Sequence, residues 1–348
     1  MQVYRSNNNP LISPGDVEPS FEGFEVIGVF NAGVARFGDE TILLLRVAER
    51  PISPDADTVL AGIYNLEKGC VELKSFSKAD SDIDLSDPRL IKTPTMTYLT
   101  SISHLQVARS SDGINFTIEN ESAIWPENEY EDFGVEDPRI TFIDGRYYIT
   151  YVGVSRYGVT THLASTADFK SYERHGVIFY PDNKDVVLFP EKINGCYWAL
   201  HRPVSPLFGK GQIWICESDD LKCWGGHKHL MSPAAGKWDS VKIGAGAAPF
   251  KTKAGWVEIY HGVDTEDRYC LGAVLLERDQ PWRIIARTDE PIFVPEADYE
   301  TRGFFSNVVF SCGLLFEQDN LNIYYGAADK VCAYAQIRLE DILKALKV

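Results

Sequence analysis

A strand–turn–strand pattern recurs five times in this chain and constrains the fold more than any other feature of the sequence. Each copy has an apolar run, a tight turn containing Gly, Asp or Asn, and a second run rich in aromatic residues. The copies lie at residues 31–46, 140–152, 189–202, 248–261 and 308–329. Short apolar runs separated by such turns predict antiparallel β-hairpins.

A second pattern has Ser or Thr, then Asp two positions later, then an aromatic residue four positions further on. Its copies are Ser110/Asp112/Phe116, Thr166/Asp168/Tyr172 and Ser218/Asp220/Trp224, spaced 56 and 52 residues apart, with a weaker version near Asp279 and Trp282. One hairpin of each kind gives about four strands, the size of a propeller blade. We therefore predict an all-β fold, a five-bladed β-propeller. A pair of β-sandwiches is the alternative, but it would not explain the period.

Helical periodicity is confined to the C-terminus, where Leu339, Ile342, Leu343 and Leu346 predict a short helix. The polar and acidic stretch 51–95 interrupts the first blade, and we interpret it as an insertion at one rim. No Pro/Ser-rich linker divides the 348 residues, so the prediction is one catalytic domain spanning 1–348.

The charge balance argues against polyanionic partners. A net charge of -16 disfavours binding to nucleic acid or to an anionic membrane. An anionic ligand would then need a local basic pocket. The first ten residues resemble no signal peptide, and no apolar run reaches the roughly 20 residues of a membrane span, so we expect a cytoplasmic protein. The seven cysteines show no CxxC pair or zinc-ligand spacing, so we expect reduced thiols and no metal.

Polar residues collect at two kinds of position where chemistry is expected. The segment 134–140 places two carboxylates and an arginine directly before a buried-looking strand, and acids there are costly unless paired or used. The five hairpins also end in polar residues: Arg46, Tyr151, His201 with Arg202, His261 and Asp329. Equivalent strand ends converge on a propeller axis, so these residues predict a polar site with a cationic side. The alternative is that each simply meets solvent.

Several motifs resemble glycoside hydrolase family 130 in the same order over nearly the whole chain. They are Asn31 with Arg46, GVEDPRI at 134–140, VVLFPEKINGCYWALHRP at 186–203, KIGAGAAPF at 242–250, YHGV at 260–263, YETRGFFSNVVF at 299–310 and YYGAAD at 324–329. The resemblance implies a five-bladed propeller. It also implies an enzyme of a family made up mostly of inverting phosphorylases that cleave β-mannosides, with some β-mannosidases.

The resemblance also implies a role for individual residues. Asp137 corresponds to the general acid, which in this family acts through the 3-hydroxyl of the mannose; because phosphate is the nucleophile, one carboxylate suffices. The alternative is a structural acid paired with Arg139. The mannoside-binding set is Asn31, Arg46, His104, Arg139 and Asp329, although His104 could instead serve packing. The phosphate-binding set is Lys184, Arg202, Lys242, His261 and Tyr269, where Arg supplies a fork and Lys and protonated His supply charge. His261 could instead be a satisfied strand-end histidine.

One position departs from the family pattern. Many relatives have Arg-Asn where this chain has Lys184-Asp185. Asp185 beside a phosphate dianion would be repulsive unless it turns away or pairs with Lys184. The similar-looking Asp87-Pro88-Arg89 lies in the insertion and is interpreted as a turn.

The expected activity is inverting phosphorolysis of β-mannosides, most closely β-1,2-mannobiose or short β-1,2-mannooligosaccharides, to α-mannose 1-phosphate and a shortened sugar. Inorganic phosphate is a co-substrate, and no metal or organic cofactor is expected. Three alternatives stay open: a β-1,4-mannooligosaccharide phosphorylase, a hydrolytic β-mannosidase with Asp185 as its candidate base, and a noncatalytic glycan-binding propeller. Assembly into a homo-oligomer is also left open.

Overall fold

The computed structural model describes residues 1–205 and 207–348 and contains five antiparallel sheets that form the blades of a propeller. The predicted all-β five-bladed fold is confirmed, and so is its short C-terminal helix. No helix among the described residues is both long and apolar enough to cross a membrane.

The chain forms the blades one after another. A short strand β1 (Tyr4–Arg5) and a 3-10 turn (Pro14–Asp16) precede them. The first blade and its insertion contain β2 (Phe24–Phe37), β3 (Glu40–Pro51), β4 (Thr58–Asn65), β5 (Cys70–Ser77), β6 (Leu90–Lys92), β7 (Thr97–Leu99), β8 (Ile102–Ser110) and β9 (Thr117–Ile124). The second contains β10 (Val135–Ile143), β11 (Arg146–Ser155), β12 (Gly158–Thr166) and β13 (Glu173–Phe179).

The remaining three blades follow in the same way. The third contains β14 (Asn183–Leu188), β15 (Tyr197–Pro203), β16 (Ile213–Ser218) and β17 (Gly225–Met231). The fourth contains β18 (Lys242–Ala245), β19 (Phe250–Lys251), β20 (Trp256–Val263), β21 (Tyr269–Leu276) and β22 (Ile284–Arg287). Helix α1 (Asp298–Thr301) leads to the fifth, with β23 (Val309–Glu317), β24 (Asn320–Ala327) and β25 (Val331–Arg338), and α2 (Leu339–Leu346) ends the fold.

The chain ends close the ring. Strand β1 pairs with β25, with Tyr4 opposite Gln336, so the N-terminus supplies the outermost strand of the fifth blade. From β25 the sheet continues through β24 to β23, the innermost strand of this blade. This pairing ties the two ends of the chain together through backbone hydrogen bonds and completes the four-stranded sheet of the fifth blade.

The second sequence repeat forms the turn between the third and fourth strands of the first three blades. In each copy one Asp oxygen accepts two backbone N–H groups. Asp112 accepts from Ile114 and Asn115, at 2.9 and 2.8 Å, and Asp168 and Asp220 do the same in their blades. The Ser or Thr hydroxyl accepts a third N–H three residues on. These side chains thus satisfy turn donors that no strand pairs, which explains the residue types.

Five apolar clusters form the core, one at each interface between neighbouring blades. The interface between the second and third blades, for example, joins Ile143 and Leu163 to Leu188 and Ala199. The corresponding clusters lie between the other pairs of blades around the ring. Because every blade packs on two neighbours, both faces of its sheet are apolar and strict alternation is lost.

The insertion consists of two hairpins, β4–β5 and β6–β7, between the second and third strands of the first blade. It extends to residue 101, directly before β8, a few residues beyond the predicted boundary. Phe76, Ile91 and Tyr98 form its own small core against Phe133. Thr100 anchors the second hairpin, because its N–H donates to the carbonyl of Arg89 at 2.9 Å. The insertion is therefore a folded element at the cavity end of the ring.

Candidate active site

A cavity of about 280 Å³ opens where the inner strands of the five blades meet. All five blades and the insertion line it. The charged and hydrogen-bonding lining residues are Asn31, Arg46, Arg89, Ser101, Glu136, Asp137, Lys184, Asp185, Arg202, Lys242, His261, Tyr269 and Asp329. Five of the described lining residues are Arg or Lys and four are Asp or Glu, so the cavity carries a positive balance inside a strongly acidic chain.

Irregular backbone at the inner strands aims several of these side chains into the cavity. Asn31, Asp137 and Asp185 have φ of 48°, 52° and 55°, in the left-handed region. Each lies within a break in the pairing register of β2, β10 or β14. Such bulges redirect side chains, and Asn and Asp tolerate the conformation better than most residues. Three consecutive blades therefore present an amide or carboxyl group to the cavity in the same way.

Asp137 is buried and is held by two donors on a single oxygen. Asn31 Nδ2 donates to Oδ1 at 2.9 Å, and Arg46 Nη1 donates to the same atom at 3.0 Å. Oδ2 accepts nothing from the described residues. Burial by itself raises the pKa of Asp137, but the neighbouring cations, Arg46 foremost, outweigh burial and lower that pKa. The carboxylate is therefore ionised at neutral pH, and its Oδ2 is without a partner among the described residues.

Asp185 is fully buried within a cluster of basic residues. Arg139 Nη2 donates to its Oδ1 at 3.0 Å, and Arg202 Nε lies 3.0 Å from Oδ2 at an angle too bent for a hydrogen bond. Burial opposes ionisation, but the charge of Arg202 and its neighbours lowers the pKa of Asp185 strongly. A Cβ on Gly244 would meet Asp185 Oδ2 at 2.2 Å, so only glycine lets β18 approach this carboxylate.

The basic side of the cavity consists of residues from the third and fourth blades. Lys184 Nζ lies 3.5 Å from Glu136 Oε1, so Lys184 pairs with Glu136 and leaves Asp185 to the arginines. Lys242 makes no ion pair with a described residue, and its ammonium lies 5.0 Å from the ring centroid of Tyr269. Burial and the charge of Arg202 lower the pKa of Lys242 to about 8. Lys242 is thus the lining cation best placed to receive an anion.

His261 is buried and neutral. Burial lowers the pKa of His261 to about 3, despite the charge of Asp185 with its Oδ2 3.5 Å from Nε2. The lowered pKa does not favour the expectation that this imidazole adds positive charge. Its contact with Arg202 Nη1, at 3.4 Å, makes it an acceptor that helps to orient the guanidinium.

Asp329 lines the cavity from the fifth blade, two residues after the end of β24, and has φ of 49°. Its carboxyl group makes no hydrogen bond or ion pair with the described residues. Burial raises the pKa of Asp329 to about 6, although the charge of Arg46 works in the other direction. Asp137 and Asp329 therefore hold their protons very differently, the first well below neutral pH and the second close to it.

Four of the residues singled out by the sequence do not line the cavity. Arg139 lies directly behind Asp185. His104 is buried on β8, where its Nε2 lies 2.9 Å from Glu49 Oε1 and its Nδ1 bonds Ser122 at 2.8 Å. The structure thus gives His104 packing and hydrogen-bonding contacts, the alternative named for it. Tyr151 bonds Glu131 inside the second blade, and His201 contacts Asn183 in the third.

Two charged residues of the cavity lining had no role assigned from the sequence. Glu136 Oε2 lies 2.6 Å from Arg46 Nη2, so Glu136 joins the arginine to Lys184 across the cavity. Arg89 lies in the segment that the sequence analysis interpreted as a turn. The segment is a turn, in which the backbone N–H of Arg89 donates to Asp87 Oδ1 at 3.0 Å. Its side chain nevertheless reaches the cavity. The sequence pointed to Arg89 only through the likeness of Asp87-Pro88-Arg89 to Asp137-Pro138-Arg139.

The described residues also bring His201, Cys216 and His227 together, with ligand atoms within 4.8 Å of one another. These side chains come from three adjacent strands of the third blade and their spacing in the sequence does not reveal the cluster. The two imidazoles share a hydrogen bond of 3.1 Å, and His201 stacks on Phe179. Those contacts account for the arrangement, which does not border the cavity.

Comparison with known proteins identifies the family. The profile of glycoside hydrolase family 130, described as beta-1,4-mannooligosaccharide phosphorylase, matches residues 87–348. The chain is 47% identical to the β-1,2-mannobiose phosphorylase of Listeria innocua serovar 6a, covering 100% of this chain and 99% of that protein. It is 44% identical to a 1,2-β-oligomannan phosphorylase of Thermoanaerobacter sp., covering 72% and 83%, and 35% identical to a β-1,4-mannooligosaccharide phosphorylase of Ruminococcus albus, covering 70% and 76%.

The structural comparison gives the same result over the full length. A solved complex of the Listeria innocua β-1,2-mannobiose phosphorylase with β-1,2-mannobiose matches with a TM-score of 0.98, covering 100% of this chain and 99% of that chain. A profile match over most of the sequence and this full-length likeness agree with the motifs found in the sequence. The chain belongs to glycoside hydrolase family 130.

Proposed function

We propose that this protein is an inverting β-mannoside phosphorylase that acts on β-1,2-mannobiose or short β-1,2-mannooligosaccharides. One observation carries the proposal: a carboxylate with a free oxygen, Asp137, shares the cavity with an uncompensated cation, Lys242. A hydrolase needs a second carboxylate to activate water. A phosphorylase needs a cationic pocket instead, because phosphate arrives as an anion and is itself the nucleophile.

The proposed reaction joins phosphate to the nonreducing mannose and transfers a proton to the leaving sugar. A phosphate oxygen attacks the anomeric carbon of the nonreducing mannose from the face opposite the leaving group, and the bond from that carbon to the bridging oxygen breaks. The bridging oxygen takes a proton relayed from Asp137 through the 3-hydroxyl of the mannose. Attack from the opposite face converts the β-linkage into α-mannose 1-phosphate. The shortened sugar leaves with the new hydroxyl.

The protonation of Asp137 is linked to the filling of the site. Arg46 and its neighbours lower the pKa of this carboxylate, although burial alone would raise it. A bound phosphate dianion offsets those cations and raises the pKa of Asp137, so the acid form develops when phosphate is present. In this proposal Asn31, Arg46 and Asp329 hold the mannose, whereas Lys184, Arg202, Lys242 and Tyr269 hold phosphate. Arg139 positions Asp185 and Arg202, and His261 orients Arg202.

The candidate base of the hydrolytic alternative is poorly suited to that role. Asp185, its candidate, is fully buried and is engaged by Arg139 and Arg202. A carboxylate held between two guanidinium groups is weakly basic, as its lowered pKa indicates. It therefore does not suit the activation of water.

The β-1,2 linkage rests on similarity. The relatives named for β-1,2-linked substrates are 47% and 44% identical to this chain, whereas the relative named for β-1,4-linked substrates is 35% identical. The proposed reaction uses phosphate as co-substrate and no metal or organic cofactor. A cytoplasmic location belongs to the same proposal, because a sugar phosphate conserves the bond energy only where the cell can use it.

The test is incubation of the purified protein with β-1,2-mannobiose, with and without inorganic phosphate, and measurement of mannose 1-phosphate and free mannose. The expected result is mannose 1-phosphate in equal amount to mannose, formed only with phosphate. Two mannoses per disaccharide without phosphate would instead identify a hydrolase. Turnover of β-1,4-mannobiose but not of β-1,2-mannobiose would show that the enzyme acts on the β-1,4 linkage. Binding of the disaccharide without any turnover would support a noncatalytic glycan-binding propeller.

A further inference from the structure

We propose that Arg89 binds the leaving sugar, the mannose unit on the reducing side of the cleaved bond, and sets the enzyme's preference for it. This inference rests on the proposed function and adds a residue of the insertion to the site. Arg89 lines the cavity but has no role in the reaction described above.

The guanidinium of Arg89 is fixed on two sides. Nε and Nη2 donate to the two oxygens of Asp87 at 2.9 and 2.7 Å. Its face lies 5.0 Å from the ring centroid of Phe305, which comes from the segment between the fourth and fifth blades. Nη1 is then the nitrogen without a protein partner among the described residues. An arginine held in this way presents a fixed donor with little conformational entropy left to lose.

The charge of Arg89 suits a neutral sugar better than phosphate. Asp87 forms a two-pronged ion pair with Arg89 and compensates most of its charge. Lys242, by contrast, has no such ion pair with any of the residues that the structure describes. A phosphate dianion gains most from the uncompensated cation, whereas a hydroxyl group needs only a positioned donor.

The position of Arg89 in the cavity also points to the leaving sugar. Asp137 and Asn31 lie on bulges of the inner strands, at the propeller axis, so the nonreducing mannose lies deepest. Arg89 and its neighbours Leu90 and Leu99 come from the insertion and form the rim together with Phe304. Whatever is attached to the nonreducing mannose must extend from the axis toward that rim. The leaving sugar therefore lies within reach of Arg89.

The reverse reaction separates the two sugars, since mannose 1-phosphate and the acceptor mannose bind individually. We would measure both KM values for wild type, Arg89→Gln and the matched surface variant Arg283→Gln, whose side chain is 64% exposed. For Arg89→Gln we expect the KM for mannose to rise roughly 10- to 100-fold, the effect of one lost charge-assisted hydrogen bond, and the KM for mannose 1-phosphate to stay within about 2-fold. Arg283→Gln should match wild type in both.

Each other outcome has a distinct meaning. An unchanged acceptor KM in a folded Arg89→Gln protein overturns the inference. A raised KM for mannose 1-phosphate, or for phosphate in the forward direction, would make Arg89 a phosphate ligand and also overturns it. If wild type neither forms mannose 1-phosphate from β-1,2-mannobiose and phosphate nor consumes it in the presence of mannose, the proposed function fails. In that case, titration of wild type and Arg89→Gln with β-1,2-mannobiose tests separately whether Arg89 contacts the sugar. Equal affinity of the two proteins for the disaccharide overturns the inference, and a lower affinity of Arg89→Gln supports it.

Discussion

Arg46 Nη1 lies 3.0 Å from Asp137 Oδ1, and the same guanidinium contacts the adjacent carboxylate of Glu136. One arginine from the first blade thus engages two consecutive acids at the start of the second blade. The contact leaves Oδ2 of Asp137 free and keeps the carboxylate ionised until ligands enter. It also explains why two acids can stand side by side at the start of a buried strand, since neither would be stable there without a counter-charge.

Replacing Asp137 by Asn should abolish turnover while preserving the fold. Asn keeps the size and the acceptor that Asn31 and Arg46 engage, but it cannot deliver a proton. We expect kcat for phosphorolysis of β-1,2-mannobiose to fall about 10²- to 10⁴-fold, the usual contribution of a general acid. The measurement is phosphate-dependent release of mannose 1-phosphate. A folded variant that keeps more than a tenth of the activity would show that Asp137 is not the acid.

The affinity for phosphate should fall above pH 8 because Lys242 loses its charge there. Its pKa is lowered to about 8, so the side chain is positive below that pH and neutral above it. We expect the KM for phosphate to rise between pH 7.5 and pH 9.5, roughly 10-fold, within the range for one charge-assisted hydrogen bond. In Lys242→Arg, whose guanidinium stays charged, that rise should be absent. The same slope in both proteins would argue against Lys242 as a phosphate ligand.

The architecture was predictable because its signals are local. Turn residues such as Asp144 and Gly145 mark a hairpin, and Asp112, Asp168 and Asp220 mark a repeated turn, so the number of blades follows from counting. The closure of the ring was not predictable, because β1 has two residues and pairs with a strand more than 300 positions away. No local pattern records such a contact.

The site was predictable only in part. Arg46, Arg202, His261 and Asp329 reach the cavity from hairpin ends, as their repeated position predicted. Tyr151 and His201 hold equivalent positions but point into the blades. Side chains alternate between the two faces of a strand, so a shift of one residue in the register moves a side chain to the other face. The left-handed backbone at Asp137 and Asp185 depends on how neighbouring blades pack. Arg89 reaches the cavity through the fold of an insertion that no repeat describes.

Removing the charge of Asp185 should destabilise the protein, because Arg139 would then be left buried without its counter-charge. Arg139 is 2% exposed and Asp185 is 0% exposed. Breaking a buried ion pair from one side costs about 3–5 kcal/mol. We expect Asp185→Asn to lower Tm by roughly 5 to 15 °C, whereas Asp39→Asn in the exposed turn after β2 should change it little. Differential scanning calorimetry at pH 7 measures both, and equal Tm values would contradict the assignment.

Asp329→Asn should stabilise the free protein at neutral pH while it weakens sugar binding. The folded pKa of Asp329 is about 6, above the ordinary value of 3.8, so the folded state favours the protonated form. Below about pH 4 the carboxyl is protonated in both the folded and unfolded states and costs nothing. Above pH 6 it is ionised in both, and its burial then costs roughly 1–3 kcal/mol.

Because Asn resembles the protonated acid, the stabilising effect of Asp329→Asn should be close to zero at pH 4 and reach its full size above pH 6. The measurement is the Tm difference from wild type at pH 4 and at pH 8, with Asp39→Asn as the control for losing one acid. We expect a gain of a few degrees at pH 8 only, together with a raised KM for β-1,2-mannobiose. A gain of the same size at both pH values would assign the effect to something other than the ionisation of Asp329. A loss of stability at pH 8 would mean that the carboxylate is stabilising where it lies, and that its pKa is not raised.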